Sequence, residues 1–302
     1  MKHVLILGAG FSGKVLGKLF VDYGWIVIGT SRHSRSFEIM KRMGLHPILF
    51  DGERMNEHLI KALYQTTHLV VSLPPSQINS SCKRSVDPFL SVVLESQVVH
   101  LAPNLQWVGY LSTVGVYGNH HGDWVDETST VKPIAARSKR RMLAENEWLK
   151  WSDMTHIPTT IFRLSGIYGP GRNALLTLSR GKSQIIVKEG QVFNRIHVED
   201  VAQAVVYSAE NMISGVFNIT DNLPAPPQDV MIFSHKLMGI SSPLTLLDFE
   251  SVELTPMVRS FYKENKRVSN QKSKTVLNMN YKWPDYRTAL RIMWYENLWN
   301  SN

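Results

Sequence analysis

Cysteine is almost missing from this sequence: Cys82 is the only one. A disulfide framework and a cysteine-built metal cage are therefore excluded. No stretch approaches the ~18–20 unbroken apolar residues of a membrane span. The first apolar run, Val4 to Leu7, is far too short for the core of a secretory signal. A cytoplasmic enzyme or binding protein is the expectation. Several chemical signatures are lacking as well: there is no P-loop, no H-E-x-x-H helix and no G-x-S-x-G elbow. The His120–His121 pair has no further ligand at metal spacing, so no metal is expected. Negative charge is also sparse, with 25 Asp and Glu against 33 Lys and Arg, a net +8. The excess is scattered over Arg32 and Arg35, Lys41 and Arg42, Lys139 to Arg141, and Lys263 to Lys274, outside any nucleic-acid-reading motif. It reads as a solvated surface that attracts small anions, with nucleic acid not expected as a partner.

What is present is ordinary in bulk and specific in detail. The 302 residues, 43% of them hydrophobic, suffice for one large α/β domain or two modest ones. Val4-Leu5-Ile6-Leu7 is a continuous apolar run, as in a parallel strand buried on both faces. It feeds directly into Gly8-Ala9-Gly10-Phe11-Ser12-Gly13. Val15, Leu16, Leu19, Phe20 and Tyr23 then recur at helical spacing, Gly24 ends the helix, and Trp25 to Ile28 is a second apolar strand. That context makes G-x-G-x-x-G informative. Gly8 permits a tight turn, Gly10 lets a pyrophosphate approach the backbone, and Gly13 lets helix and strand pack closely. The phosphates would rest on main-chain amides at a helix N-terminus around Phe11 and Ser12.

The end of the second strand bears on which dinucleotide binds. An NAD site usually carries Asp or Glu there, whereas this chain has Gly29-Thr30-Ser31-Arg32, followed by Arg35. Hydroxyls and guanidinium groups would hold a 2′-phosphate that a carboxylate would repel. NADP is expected over NAD; the alternative makes Arg32 and Arg35 plain loop charges.

Strands at His46–Phe50, His68–Leu73, Gln106–Leu111, Thr159–Arg163 and Val216–Thr220 alternate with helices near Leu59–Leu63, Ser85–Glu95, Lys139–Lys150 and Val201–Ala209. Such alternation specifies an α/β fold with a doubly wound parallel sheet, the Rossmann arrangement. Its ligands lie beyond the carboxyl ends of the strands, which singles out Gly8–Gly13, Ser31, Arg32, Asp51, Leu73, Pro74, Ser112, Thr113 and Leu164–Ile167. After Thr220 the turn-rich Asp221–Pro227 breaks the alternation. The expected organisation is a dinucleotide-binding domain over 1–167, to which 194–221 returns. A smaller substrate-side C-terminal region is then built from 168–193 and 222–302.

Four segments carry a family resemblance: Leu111-Ser112-Thr113-Val114-Gly115-Val116-Tyr117-Gly118, Trp124-Val125-Asp126-Glu127, Arg163 to Gly171, and Arg195 to Ala202. In order and spacing they resemble the extended short-chain dehydrogenases/reductases of the NAD-dependent epimerase/dehydratase family. Asn270 to Arg287, with Trp283-Pro284-Asp285-Tyr286-Arg287, is similar to an atypical branch, the YeeZ-like proteins. The resemblance implies a Ser or Thr that holds the reacting oxygen, a Tyr that exchanges its proton, and a Lys four residues later that binds the cofactor ribose. It places the first role on Thr113 and the last on Lys139, in Ala135-Ala136-Arg137-Ser138-Lys139. The Tyr position is Ala135, whose methyl group moves no proton. Tyr117 reads as packing, and the Tyr262–Lys266 spacing as coincidence.

The resemblance further implies that Ser165 lies by the cofactor and that Arg172, Asn173 and Arg195 face a small substrate, phosphorylated or nucleotide-linked among the options. His197 and Asp200 read as an anchoring pair at an interdomain junction. Two functions follow. One is an epimerase/dehydratase-like oxidoreductase on a small polar or sugar-derived substrate, with its usual Tyr replaced. The other is a non-catalytic NADP(H)-binding or redox-sensing protein. Oligomeric state is left open, a homodimer included.

Overall fold

The computed structural model describes residues 1–52, 55–76, 85–95 and 101–300; Cys82 lies outside them. The chain opens with β1 (His3–Leu7), α1 (Phe11–Asp22), β2 (Ile26–Ser31), α2 (Phe37–Arg42), β3 (His46–Leu49), α3 (Glu57–Gln65) and β4 (His68–Val71). Next come α4 (Pro88–Glu95), β5 (Trp107–Thr113), β6 (Trp124–Val125), α5 (Ala136–Thr155), β7 (Thr159–Leu164), β8 (Gly166–Tyr168), α6 (Ala174–Ser179) and β9 (Gln184–Val187). The last part holds β10 (Arg195–His197), α7 (Val198–Glu210), β11 (Gly215–Ile219), α8 (Pro227–Leu237), β12 (Thr245–Asp248), α9 (Pro256–Tyr262), β13 (Arg267–Val268), α10 (Gln271–Val276) and α11 (Tyr286–Tyr295).

Seven strands form one parallel sheet in the order β11–β7–β5–β4–β1–β2–β3. Burial explains who sits where. Val4 to Leu7, all of β4 and all of β7 are buried, as strands covered on both faces must be. Pro47 occupies the edge strand β3, where a missing N–H costs no ladder bond. The order reverses at β1, which has β2 on one side and β4 on the other. The glycine turn after Leu7 thus opens at the topological switch point, where sheets of this kind bind ligands.

The contacts divide the chain into two compact units. The first comprises Met1–Thr113, Ala136–Arg163 and Val201–Phe217; the second comprises Val114–Ala135, Leu164–Asp200 and Asn218–Asn302. The first has a core of Leu5, Leu7, Leu69, Val71, Val108, Tyr110, Trp148 and Ile161, among others. The second packs Leu175, Val230, Trp283, Tyr286, Leu290 and Met293. These boundaries differ from the expected ones at 114–135, 164–167, 194–200 and 218–221. Short pairings draw those segments into the second unit: β6 pairs with β13, and β8 with β10. No local periodicity announces a two- or three-residue strand whose partner lies far along the chain. Among the described residues, no helix is long and apolar enough to cross a membrane.

Candidate functional site

The glycine turn shows a separate physical reason for each of its glycines. Gly8 has φ +90°, a conformation that favours glycine, and a side chain there would meet Leu73 at 3.2 Å. Its N–H donates to Thr30 Oγ1 at 2.8 Å, and Ala9 N–H to Thr30 O at 2.8 Å. Thr30, buried at the end of β2, therefore holds the turn in shape. A Cβ on Gly13 would lie 2.8 Å from Gly8 O, so glycine is what lets α1 close onto β1. A Cβ on Gly10 would meet nothing within 4 Å. Open space stands over the residue that precedes a 12-residue helix, with no side-chain cap and no acidic residue in its first turn. The amides and the helix dipole there suit an anion, and a phosphate group fits that cradle.

At the end of β2 the loop is braced by its own hydroxyls. Ser36 Oγ donates to Ser31 Oγ at 2.7 Å, and Ser31 Oγ donates to His33 O at 3.0 Å. Arg32, His33, Ser34, Arg35 and Leu49 line a shallow cavity of about 350 Å³. Both arginines are exposed, and no ion pair to either is formed among the described residues. Asp51 is exposed just beyond β3, Leu73 is buried against the glycine turn, and Pro74 is exposed beside it. His33 and Ser34 were not singled out above. Their place between Arg32 and Arg35, just after β2, was the signal available for them.

Thr113 ends β5, half-buried, and Ala135 stands directly before α5. Lys139 is exposed in the first turn of that helix. The helix is pinned to β5 just below. Arg141 Nη1 donates to Leu111 O at 2.8 Å and to Tyr110 Oη at 3.0 Å. Glu145 accepts from Ser112 Oγ and from Arg163 Nη2, the latter at 2.8 Å. The Tyr110 phenol, pushed up by burial, remains protonated. Tyr117 is fully buried and donates to Asn218 Oδ1 at 2.8 Å, so it serves packing. Lys266 is bound to Gly118 O at 2.8 Å and Glu264 at 3.0 Å, which ties up the lysine of the Tyr262–Lys266 spacing.

The second unit commits several candidate residues to its own fold. Asn173 caps α6 by accepting from Leu176 N–H at 2.9 Å, and its Nδ2 donates to Gly169 O and Trp299 O. An Asn before the run Ala174-Leu175-Leu176 was a readable cap signal. Arg172 is exposed, and Ser165 is buried with no hydrogen-bond partner for its Oγ among the described residues. Asp200 accepts from Lys282 N–H at 2.9 Å and Trp283 N–H at 3.1 Å. His197 lies edge-on to Tyr168 at 5.3 Å and 4.4 Å from Trp283. Burial lowers His197 to about 4 and raises Asp200 to about 6. The pair therefore anchors the C-terminal segment within the second unit.

Residues 4–220 match the NAD dependent epimerase/dehydratase family, and the chain belongs to that family. Among relatives, it is 27% identical over 253 residues to Protein YeeZ of Escherichia coli strain K12, covering 80% of this chain and 86% of the relative. A conserved protein of unknown function from Silicibacter pomeroyi is 40% identical, with a TM-score of 0.86 over 98% of this chain and 99% of that one. A UDP-glucuronic acid 4-epimerase from Bacillus cereus, solved in complex with NAD, shares the fold at 19% identity. Its TM-score is 0.73 over 99% of this chain and 100% of that one.

Proposed function

We propose that the chain is an NADP-preferring, epimerase/dehydratase-like oxidoreductase acting on a small polar or sugar-derived substrate. The observation that carries this reading is the open cradle over Gly10 just after β1, with an arginine pair following the neighbouring parallel strand β2 and forming no salt bridge among the described residues. Gly8, Gly10, Phe11, Ser12 and Gly13 would hold the pyrophosphate. Ser31, Arg32 and Arg35 would hold the 2′-phosphate, helped by Ser34. Asp51, Leu73, Pro74, Lys139 and Ser165 complete the assignment of the cofactor site. When bound, the nicotinamide supplies a reversible hydride acceptor or donor.

Thr113 would hold the reacting substrate oxygen through its hydroxyl, and Lys139 the nicotinamide ribose. Ala135 supplies no proton, so that role falls to water or to a substrate group. The absence of the phenol also favours a second reading, a dinucleotide-binding or redox-sensing protein without turnover. Substrate-dependent NADPH oxidation that Thr113→Val abolishes is the result expected of the enzyme. Binding without turnover across a broad substrate panel is the result expected of the sensor.

Cofactor choice is tested by fluorescence titration with NADPH and NADH. The wild type is expected to favour NADPH by about tenfold or more, a charge-assisted pair being worth about 1.5–3 kcal/mol. Arg32→Ala is expected to erase most of that preference while leaving NADH affinity unchanged. Equal affinities in the wild type would remove the 2′-phosphate assignment.

A further inference from the structure

Helix α5 runs beside β5 in the opposite direction. Trp148 packs on Tyr110 with ring centroids 6.3 Å apart, and past the end of the helix Pro158 O accepts from Val108 N–H at 3.0 Å. Nearer the carboxyl end of the strand, Glu145 accepts from Ser112 Oγ, and Arg141 Nη1 donates to Leu111 O at 2.8 Å. Arg141, Glu145 and Trp148 thus mark the side of α5 that is turned to the sheet.

The same side continues toward the start of the helix. A residue four places before another lies about 40° round an α-helix and about 6 Å along its axis. Arg137 therefore shares the side of Arg141, one turn nearer the carboxyl end of β5. On the strand, Leu111 and Thr113 are about 6.6 Å apart in that direction. The first turn of α5 so reaches the level of Thr113 and the space beyond it, where sheets of this kind bind ligands. Burial follows the geometry: Arg137 is half-buried and Ser138 buried, whereas Ala136 and Lys139 are exposed. Lys139 lies about 160° round from Arg141, on another side of the helix.

The chemistry of that residue limits what it can do. A guanidinium is always charged, donates through a planar fork and gives up no proton near neutral pH. Arg137 cannot stand in for a proton-exchanging phenol, but it can grip a carboxylate through two parallel hydrogen bonds. We propose that Arg137 binds a carboxylate of the substrate over the carboxyl end of β5, with the oxygen of the neighbouring carbon left to Thr113. The substrate is then a small hydroxy or oxo acid. This assignment rests on the enzyme reading above and narrows its substrate class.

The test is calorimetric titration of the full chain with oxamate, an unreactive oxo-acid analogue, with and without saturating NADPH. Wild type, Arg137→Gln, Arg137→Lys and Arg140→Gln are compared; the last removes one positive charge from the same turn. Saturable binding is expected in the wild type and in Arg140→Gln, weakened about tenfold or more in Arg137→Gln. Arg137→Lys keeps the charge without the fork and is expected to weaken binding about threefold or more. NADPH affinity and melting temperature of the Arg137 variants are expected to match the wild type, which separates a lost contact from a damaged helix. Absence of saturable oxamate binding in the wild type, or equal losses in Arg137→Gln and Arg140→Gln, overturns the proposal. So does oxamate binding that every folded Arg137 variant retains. Arg137-dependent oxamate binding in a protein that ignores NADPH would uphold the carboxylate site and sink the cofactor reading alone.

Discussion

Replacing Gly10 with valine is expected to leave the fold standing and to weaken dinucleotide binding by about a hundredfold, close to 3 kcal/mol. The expectation comes from what a side chain would meet. A Cβ at Gly10 meets no heavy atom within 4 Å beyond its chain neighbours, so the apo protein is expected to tolerate a small side chain there that a ligand would not. The melting temperature should move by no more than about 2 °C. At Gly13 the reverse holds, because a Cβ would lie 2.8 Å from Gly8 O and 3.3 Å from Ile6 Cγ2. Neither the turn nor the central strand yields cheaply there. Gly13→Ala should therefore lose about 1–3 kcal/mol of stability. Thermal melts and NADPH titrations of the two variants separate the roles. Similar stability losses in both would mean that the turn tolerates no side chain anywhere, and the ligand-approach role of Gly10 would fail.

The second large effect concerns the Glu145–Arg163 pair under the β5–α5 corner. Both side chains are buried, and the contact combines Nη2–Oε2 at 2.8 Å with Nε at 3.2 Å from the same oxygen. Ser112 adds a further donor to the carboxylate. Removing one partner leaves the other charge in the interior, which costs about 3–5 kcal/mol. Glu145→Leu is expected to lose that much in urea unfolding. The double variant Glu145→Met, Arg163→Met should recover most of it, because no isolated charge then remains. Strictly additive losses would show that the two charges do not compensate each other. The pair also bears on the site: it fixes α5, and so the position from which Lys139 leaves the helix, against the strand that ends at Thr113.

What was legible in the sequence follows from how local each cause is. The strand, glycine turn and helix are encoded within twenty residues, and the three glycines could be given distinct roles because backbone freedom is written in residue type. Buried strands such as Val4–Leu7 announced themselves by unbroken apolarity. The Glu145–Arg163 pair was not legible, since its members stand 18 residues apart and only the packing of a helix on the sheet joins them. The second unit was harder still. Trp124-Val125 meets Arg267-Val268 through one short pairing, with no periodicity at either end. Arg195 was singled out for its charge, but its hydrogen bond to Ala225 O, thirty residues away, has no local signal. Asn173 was taken for a ligand contact although its place before an apolar run already fitted a helix cap.

On the proposed reading, the glycine turn and the Arg32–Arg35 loop of the first unit would address a dinucleotide's phosphates. In the proposed enzyme Ala135 offers no proton-exchanging group, so proton supply is what that reading must find elsewhere.

The central claim is most directly tested by a crystal structure of the protein grown with NADPH. The account predicts density for the pyrophosphate over Gly10, against the amides that open α1, with the 2′-phosphate between Arg32 and Arg35. A dinucleotide bound elsewhere, or an empty cradle at saturating NADPH, would contradict it.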